Sequence, residues 1–518
     1  MTAHNTLVIN VGIGETRVAL IEDGFLAELY VEREHERSTV GNVYLGKVTR
    51  VLPGMQAAFI DIGLDRAAFL HVEDLTPEKD FEALENAEAA GSEDAPADPS
   101  GAAPSMRPKS PMRISRRTPI RDVLQEGQDI VVQVSKAPIS TKGARVTSHI
   151  SLPGRYVVYL PTVDHIGVSK RIGNDLERQR LRESVESLRP PKGGLIVRTV
   201  GAGLTKKRLK ADIAYLVKTW EEVAAKKEHT TKAPALLYRD LDIVLRAARD
   251  LFTEEVGRLV VDGPLHHAKL LEFMNVFMPE RMGDVELYAR KEPIFDEYGI
   301  EEEVHRALSR KVQLPSGGHL IIDQAEALTA IDVNTGRFTG KGKDVEETIL
   351  QTNLEAVKEI AYQLRFRNIG GLIVLDFIDM ERSSHREKVY RLLTKYLKRD
   401  RAKTTTIRIS ELGLVEMTRK RTRESLGRTL HEPCFYCDGT GNLLSKTTIC
   451  HEIIRQVARE KDSLPGYTIV INAHPAVCDM LEREAKSVME EVSKRCSRQI
   501  SIKAHADYHL EQYYLSGA

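Results

Sequence analysis

The sequence has few cysteines, no long apolar run and no excess of charge. Five cysteines in 518 residues are too few for a disulfide framework, which favours a reducing compartment. No stretch approaches the roughly 20 apolar residues that a transmembrane helix needs. The first residues, Met1 to Asn5, lack the basic and then apolar pattern of a secretory signal peptide. These absences predict a soluble cytoplasmic protein with no membrane span.

The charge balance points to no particular partner. Seventy-five basic residues balance seventy-five acidic residues, so a nucleic-acid site would have to concentrate positive charge locally. A chain of 518 residues also exceeds what one hydrophobic core usually serves. We therefore expect two to four domains, in line with the usual size of about 100–200 residues for each.

Residues 76–118 differ in composition from the rest of the chain. They are rich in Ala, Pro, Ser and Glu and contain almost no β-branched or aromatic residues. Such a segment cannot bury enough apolar surface to offset the entropy cost of ordering, which predicts a disordered loop. Strand-like segments lie on both sides of it. We therefore expect an insertion within one domain, not a linker between two.

Short strand-like segments separated by glycine and proline turns flank this insertion and predict a small β-barrel. They are residues 43–51, 57–61, 67–70 and 129–134. Earlier in the chain, residues 6–11 and 17–21 flank a glycine-rich turn and predict a β-hairpin.

The middle of the chain has the pattern of an α/β domain. Strand-like segments at 320–323 and 327–334 precede an amphipathic helix at 348–365, and residues 371–377 then form a continuous apolar strand. A strand, a helix and a strand of these lengths predict a βαβ unit or a relative of it.

Polar side chains end two of these strands. Asp332 and Asn334 are two positions apart, so they point the same way, and Asp376 ends the later strand. If the two strands are neighbours, the carboxylates meet at one sheet edge, where they could hold Mg²⁺ and position a phosphoryl group. The alternative is that Asp332 caps a turn and Asp376 caps a helix. We expect Asp379 and Glu381, which follow closely, to be solvated.

Cys434 and Cys437 form a Cys-x-x-Cys pair that is followed by Gly439 and Gly441. This resembles half of a zinc knuckle, because a structural zinc site takes four ligands and the pair supplies two. The remaining two could come from the single cysteines Cys450, Cys478 and Cys496 or from the same pair in a second subunit. A redox dithiol and two free thiols remain as alternatives.

Three features could contact nucleic acid. Phe59 and Phe69 lie near the cations Lys47 and Arg50, a combination that can stack a base and hold its phosphate, although barrel phenylalanines are also often core residues. Separately, Arg198 and Thr199 end an apolar strand and could hold a terminal phosphate or be an ordinary surface pair. The basic run at residues 419–423 fits either an RNA backbone contact or a solvated helix face.

Seven strings, taken in order, are similar to those of the ribonuclease E/G family over essentially the whole chain. They are residues 46–50, 58–63, 68–70, 195–199, 331–337 and 370–380, and the pair Cys434 and Cys437 with its Gly-x-Gly. The longer members carry an extended scaffold tail after the small domain. The sequence ends at Ala518, so we expect it to be closer to the ribonuclease G branch.

The resemblance implies a multidomain fold of mixed α+β and α/β type. Its parts would be a discontinuous ribonuclease-H-like domain (1–38 and 244–307), an S1 RNA-binding barrel of the OB type containing the insertion (39–148), a 5′-sensor region (149–243), a deoxyribonuclease-I-like catalytic domain (308–429), a zinc link (430–444) and a small dimerisation domain (445–518).

The resemblance also implies roles for single residues. Asp332 and Asp376 would bind the catalytic Mg²⁺, and Asn334 would help to position the scissile phosphate or the attacking water. Phe59 and Phe69 would contact RNA, and Cys434 and Cys437 would share Zn²⁺ between subunits. The 5′-monophosphate would be recognised by Arg198, Thr199, Gly154, Val158, Lys170 and Arg171. Lys170 stands where the family can have arginine, and lysine lacks the bidentate geometry.

The implied activity is Mg²⁺-dependent endonucleolytic hydrolysis of single-stranded, A/U-rich RNA, with a preference for 5′-monophosphorylated ends. The partners would be rRNA precursors, mRNA and a second copy of the chain, as a homodimer or a tetramer, in rRNA and tRNA maturation and mRNA decay. Two other classes of protein remain as alternatives to this nuclease. A non-catalytic S1-type RNA-binding protein would not need the paired carboxylates, and a phosphohydrolase of small nucleotides would not need the barrel.

Overall fold

A computed structural model describes residues 5–34, 37–75, 119–138, 143–336, 345–421 and 423–518, and the insertion expected at 76–118 lies outside them. The chain forms two compact units, Met1–Thr429 and Leu430–Ala518. Among the described residues, none of the helices has both the length and the apolar character that crossing a bilayer requires. Short 3₁₀ helices occur at Pro53–Met55, Val72–Asp74, Thr199–Gly201 and Pro279–Asp284.

The first sheet joins the N-terminal hairpin to strands from the middle of the chain. In spatial order its five strands are Val285–Leu287, Val256–Val261, Asn5–Val11, Glu15–Glu22 and Phe25–Arg33. The strand Asn5–Val11 is antiparallel to the next strand along the chain, which confirms the predicted hairpin, and parallel to Val256–Val261. The accompanying helices are Ile243–Asp250, Pro264–Phe277, Ile294–Glu297 and Ile300–Ala307.

The second sheet closes into a barrel. Its five strands are Val43–Leu52, Ala57–Asp61, Ala68–His71, Arg145–Thr147 and Asp129–Lys136, in the order in which they pair around the barrel. Closure follows because the last of these strands pairs with the first. The helix Ile120–Val123 precedes Asp129–Lys136, and the strand Ala235–Tyr238 joins from outside. The predicted small barrel is confirmed, whereas neither Arg145–Thr147 nor Ala235–Tyr238 was predicted as part of this sheet.

A third sheet follows the barrel in the chain. Its strands, in spatial order, are Ile166–Val168, Gly194–Val197, Val157–Leu160 and Leu152–Pro153. The helices Asp175–Glu186 and Lys206–His229 pack on it through buried leucine, isoleucine and valine side chains.

The largest core of the first unit belongs to a six-stranded sheet. In spatial order the strands are Lys311–Gln313, His319–Gln324, Leu328–Asn334, Gly371–Asp376, Leu414–Arg419 and Thr404–Thr406. The central pair is parallel and is joined by the helix Val345–Phe366, so the predicted strand, helix and strand are confirmed. The other helices near this sheet are Ser383–Leu397 and Leu426–Leu430.

The second unit is a small α/β layer. The strand Thr468–Ala473 lies between a parallel strand, Gln499–Ala504, and an antiparallel strand, Tyr513–Gly517. Three helices complete the unit: Lys446–Glu460, Pro475–Arg483 and Lys486–Cys496. The protein is thus a mixed α/β protein that contains one closed five-stranded barrel.

Candidate active site

Asp332 and Asp376 are register partners at the ends of two parallel strands. Neighbouring strands are about 4.8 Å apart, so the two residues meet at one edge of the sheet. Both side chains are exposed, while Val333 and Leu375 beside them are buried. The predicted adjacency is therefore confirmed. A helix-capping role for Asp376 is wrong, because the next helix begins only at Ser383.

Asn334 belongs to the same cluster. Its side-chain Nδ2 donates a hydrogen bond to Oδ2 of Asp332 at 2.7 Å. This contact fixes the direction of the carboxylate and engages the only donor group of the amide. The amide oxygen of Asn334 has no partner in the described part of the chain, so it can accept a hydrogen bond from a water molecule.

The cluster carries more negative charge than was predicted. Partial burial, the charge of Asp332 and the charge of Asp379 raise the pKa of Asp376. Asp379 is exposed, as expected, and its carboxylate also acts on the site electrostatically. Like-charged carboxylates in one place favour a bound cation.

The donor set fits Mg²⁺. No group of three or more His, Cys, Asp or Glu side chains is arranged to hold a metal within the residues that the structure describes. Mg²⁺ does not need such a cage, because it usually keeps several waters and binds through one or two carboxylates. Asp332 and Asp376 supply that number from adjacent strand ends.

Glycines allow the loops at this edge to pack closely. A Cβ atom on Gly336 would lie 1.8 Å from the carbonyl oxygen of Gly317, so only glycine fits at position 336, two residues after Asn334. Gly413 has a φ of +75°, and a Cβ there would lie 2.6 Å from the carbonyl oxygen of Phe377. The two loops that carry the polar residues are thereby held against neighbouring backbone.

The helix between the two strands also holds the loop after Asp376. The fully buried Asn353 donates through Nδ2 to the carbonyl oxygen of Ile378 at 2.9 Å and accepts from its N–H at 3.1 Å. At the start of the same helix, Glu346 accepts hydrogen bonds from the backbone of Glu381 and Arg382 and contacts the buried His385 at 3.1 Å. These contacts position the segment between Asp376 and the following helix, and sequence patterns gave no indication of them.

Phe59 and Phe69 lie on the outside of the barrel. They are register partners on adjacent strands, with ring centroids 6.1 Å apart in an edge-to-face arrangement. Both are half-buried, whereas Ile60 and Leu70, the next residues on the two strands, are fully buried in the barrel. The alternative that these phenylalanines form the barrel core is therefore wrong. The rings are available to stack on bases.

Arg198 is held in place by backbone carbonyl groups and by an acidic side chain. Its Nη1 donates to the carbonyl oxygen of Gly154 at 2.7 Å, and its Nη2 pairs with Asp250 at 2.9 Å. The side chain remains partly exposed. Asp250 was not predicted, because it lies 52 residues further along the chain in the helix Ile243–Asp250.

The backbone of this region is engaged within the protein. The N–H of Gly154 donates to the carbonyl oxygen of Val157. Val158 belongs to a strand that is paired with a neighbouring strand on each side. Asp212, which is fully buried, accepts hydrogen bonds from the N–H groups of residues 155–157. A Cβ on Gly154 would lie 2.5 Å from the carboxylate of Asp212, so this glycine makes room for that carboxylate.

Thr199, Lys170 and Arg171 are all exposed near one another. The hydroxyl of Thr199 lies 3.1 Å from that of Ser169, which also accepts from the N–H of Arg171 at 3.4 Å. The structure thus brings Arg198 to Gly154 and links Thr199 to Arg171 through Ser169. Ser169 was not singled out from the sequence.

The basic run at residues 419–423 is not a solvated helix face. Arg419 ends a strand and forms a buried ion pair with Asp400 at 2.6 Å. Arg423 lies 3.6 Å from the ring centroid of Tyr30. Both cations therefore have structural partners.

In the second unit, Cys434 and Cys437 form a surface turn. The backbone N–H of Gly441 donates to Sγ of Cys437 at 3.3 Å and, with smaller contributions from Cys434 and the N–H of Gly439, lowers the pKa of this thiol. A stabilised thiolate is the form that binds zinc. Cys450 and Cys478 are buried in the small core, and burial raises the pKa of each.

Comparison with known proteins gives matches over the whole chain. A sequence model of the Ribonuclease E/G family matches residues 151–422. Ribonuclease G of Escherichia coli (strain K12) is 42% identical over 516 residues, which cover 99% of each chain. Ribonuclease G of Haemophilus influenzae (strain ATCC 51907 / DSM 11121 / KW20 / Rd) is 40% identical over 509 residues, or 98% of each. Ribonuclease E of Escherichia coli (strain K12) is 36% identical over 490 residues, which cover 93% of this chain and 43% of that protein.

Proposed function

The chain belongs to the ribonuclease E/G family and is an endoribonuclease of RNA processing and decay, and we propose that Asp332 and Asp376 are its catalytic centre. The in-register pairing of these two carboxylates at one sheet edge carries the proposal. The substrate is single-stranded, A/U-rich RNA, and the metal is Mg²⁺. A non-catalytic RNA-binding protein would have no use for a pair of exposed carboxylates that lie against each other.

The chemistry is hydrolysis of a phosphodiester to a 5′-phosphate and a 3′-hydroxyl. Asp332 and Asp376 would hold Mg²⁺, and the ion would supply polarisation of a phosphoryl oxygen and activation of water. Asn334 keeps Asp332 in one orientation through its amide N–H and uses its amide oxygen to orient the attacking water or the scissile phosphate. Asn353 and Glu346 hold the loop after Asp376 in place.

RNA binding is assigned to two other surfaces. Phe59 and Phe69 stack on bases outside the barrel, which we take to be the S1 domain. Arg198 and Thr199, with Gly154, Val158, Lys170 and Arg171 around them, form the site that prefers a 5′-monophosphate. The partly exposed guanidinium of Arg198 supports this assignment, since a planar fork can bind a phosphate with two hydrogen bonds.

Self-association is assigned to the cysteine pair. Cys434 and Cys437 bind Zn²⁺ together with the same pair of a second subunit, which gives four thiolates, a homodimer and a route to a tetramer. The glycine amides that face Cys437 support this proposal. All five cysteines are free thiols, as is usual for proteins of a reducing compartment. We place the enzyme in the cytoplasm, where its substrates are rRNA and tRNA precursors and mRNA.

A cleavage assay tests the catalytic assignment. Short A/U-rich single-stranded RNA with a 5′-monophosphate or a 5′-hydroxyl is incubated with Mg²⁺ and the wild type, Asp332→Asn or Arg198→Ala. We expect internal cleavage by the wild type, none by the aspartate variant, and loss of the 5′-monophosphate preference in the arginine variant. If the wild type fails to cleave either RNA but binds it, the catalytic proposal is wrong.

A further inference from the structure

In the second unit, the turn that carries the two proposed zinc ligands is fastened to another loop. We call residues 434–441 the cysteine turn; the other loop is residues 505–512, which connects the two outer strands of the small sheet. Tyr436 of the turn and His509 of the loop face each other with ring centroids 4.4 Å apart. The turn therefore rests on the segment that links both edges of the sheet.

Three hydrogen bonds accompany this ring contact. The Nε2 of His509 donates to the carbonyl oxygen of Tyr436 at 2.6 Å. The N–H of Leu510 donates to the hydroxyl of Tyr436 at 3.2 Å. Just after the turn, the N–H of Leu444 donates to the carboxylate of Glu511 at 2.5 Å. Because both its carbonyl and its hydroxyl are engaged, Tyr436 cannot change direction independently of the loop.

Both ring nitrogens of His509 are used within the protein. Its Nε2 faces a carbonyl oxygen, so this nitrogen carries the proton, and its Nδ1 accepts from the N–H of Glu511 at 3.2 Å. A neutral imidazole has one donor and one acceptor nitrogen, and these two partners select the tautomer that is protonated at Nε2. No lone pair is left for a metal ion. His509 is thus a candidate positioning residue and not a ligand.

The cysteine turn also has hydrogen bonds of its own. The N–H of Gly439 donates to the carbonyl oxygen of Cys434 at 3.1 Å, and that of Thr440 to the carbonyl oxygen of Cys437 at 2.9 Å. The N–H of Gly441 donates to Sγ of Cys437 at 3.3 Å. These bonds shape the turn. All of it except Cys437 is exposed, so its orientation on the sheet depends on the contacts with the loop.

A second ring pair in the same loop provides a comparison. His505 stacks on Tyr508 with centroids 4.6 Å apart, and its Nε2 lies 3.0 Å from Oδ1 of Asn472 in the central strand. This histidine therefore makes the same two kinds of contact as His509, one to a tyrosine ring and one to an oxygen atom. Its partners belong to the loop and the sheet, whereas the partner of His509 stands between the two cysteines.

We propose that Tyr436 and His509 form a clamp that holds the cysteine turn in the geometry that zinc requires, so that the zinc affinity of the chain depends on His509. This inference rests on the proposed function, because zinc binding by Cys434 and Cys437 is itself proposed. Groups that orient metal ligands without touching the metal typically contribute about 10- to 100-fold to affinity. In the proposed dimer, the clamp fixes the small sheet of each copy to the shared ion.

Zinc affinity is measured on the full-length, reduced protein by competition between the protein and a chromogenic chelator for Zn²⁺. His509→Phe keeps a ring but loses the donor, His509→Gln keeps a donor, and His505→Phe is the matched control. We expect the affinity to fall by about 10- to 100-fold in His509→Phe, to fall less in His509→Gln, and to stay at the wild-type value in the control. Circular dichroism melting checks that each variant folds. Tyr436→Leu, at a side chain that is 41% exposed, gives the same test if His509→Phe does not fold.

Hydrogen exchange of the metal-free protein measures the clamp without the ion. One lost hydrogen bond corresponds to about 0.5–1.5 kcal/mol, so the amides of residues 439–441 should exchange about 2- to 10-fold faster in His509→Phe than in His505→Phe. Wild-type affinity in the folded clamp variants would overturn the inference while leaving the zinc site in place. A fall in affinity without faster exchange would also overturn it, because the turn would then not be held by the clamp. If the wild type binds no Zn²⁺, the proposed zinc site itself is wrong, and the clamp inference fails with it.

Discussion

Asn353 binds both the N–H and the C=O of Ile378 with its side-chain amide. The residue sits in the helix Val345–Phe366, and its partner lies between Asp376 and Asp379 in the chain. The helix that links the two active-site strands therefore also fixes the loop that leaves the second strand. Strand spacing alone sets the distance between Asp332 and Asp376, but this amide sets the course of the chain after them.

Replacing Asn353 by leucine should lower kcat without raising KM. The change leaves two partly buried backbone groups of Ile378 without partners, which costs up to about 3 kcal/mol, and it lets the loop move relative to Asp332. A displacement near 1 Å at a catalytic site costs up to about 100-fold in rate, so we expect a fall in kcat of roughly 10- to 100-fold. Steady-state kinetics and urea unfolding measure both effects. The control is Gln351→Leu on the exposed side of the same helix; a kcat equal to that of the control would remove the positioning role.

Gly336→Ala should inactivate the enzyme while leaving most of the fold intact. The new Cβ would lie 1.8 Å from the carbonyl oxygen of Gly317, so the loop after Asn334 has to move. We expect a loss of kcat of at least about tenfold. Gly283→Ala is the matched control, since no atom lies within 4 Å of a Cβ there. Wild-type kcat in Gly336→Ala would show that this close approach is not required for catalysis.

Phe59→Ala and Phe69→Ala should weaken RNA binding with little effect on stability. Base stacking on an aromatic ring contributes about 1–3 kcal/mol per base, which corresponds to roughly 5- to 150-fold in affinity. Ile60→Ala provides the contrast, because Ile60 is fully buried and its truncation should cost about 2–5 kcal/mol of unfolding free energy. Anisotropy titrations and thermal melting separate the two effects. An equal loss of unfolding free energy in the three variants would indicate that the phenylalanines belong to the barrel core.

Arg198→Lys should reduce the preference for a 5′-monophosphate although the charge is kept. Lysine cannot form two parallel hydrogen bonds to a phosphate, nor can it contact Gly154 and Asp250 at the same time as the guanidinium does. The ratio of kcat/KM for the monophosphorylated RNA to that for the hydroxyl-terminated RNA is the measurement. Arg178→Lys, which changes a partly exposed arginine paired within its own helix, is the control. A preserved ratio in Arg198→Lys would argue that charge alone suffices.

Removing zinc should dissociate the assembly. We expect one Zn²⁺ for every two chains, and a chelator or Cys437→Ser should convert dimers to monomers in native mass spectrometry. Cys496→Ser is the control, because this thiol lies in the helix Lys486–Cys496 apart from the turn. An assembly mass that does not change after chelation would exclude a metal shared between subunits.

The sequence predicted those parts of the site that follow from periodicity. Alternation along a strand placed Asp332 and Asn334 on one face, and the βαβ pattern made Asp376 their neighbour, as the structure confirms. These features depend on local spacing, which a sequence displays directly. For Phe59 and Phe69 the sequence left RNA contact and barrel core both open, and only the structure shows that they lie outside the core.

Contacts between distant segments could not be predicted in this way. Asp250 pairs with Arg198, and Tyr30 lies against Arg423, yet nothing near either residue in the sequence indicates a partner. The register shift between Val134 and Lys136 in the barrel strand Asp129–Lys136 could not be predicted either. One extra residue reverses the face to which the following side chains point without changing the composition of the strand. The roles of the metal ligands and the sensor residues remain predictions.

The first sheet has a consequence for synthesis. Asn10 and Asp262 are hydrogen-bonded although they are 252 positions apart in the sequence. At translation rates of about 5–20 residues per second, the N-terminal hairpin waits roughly 10 to 50 seconds for its parallel partner strand to leave the ribosome. The barrel strands and the third sheet are made in that interval and can complete their cores first. The N-terminal hairpin is thus made first but is among the last parts of the chain to complete its sheet. Until then, the strand Asn5–Val11 of the nascent chain has one unpaired edge.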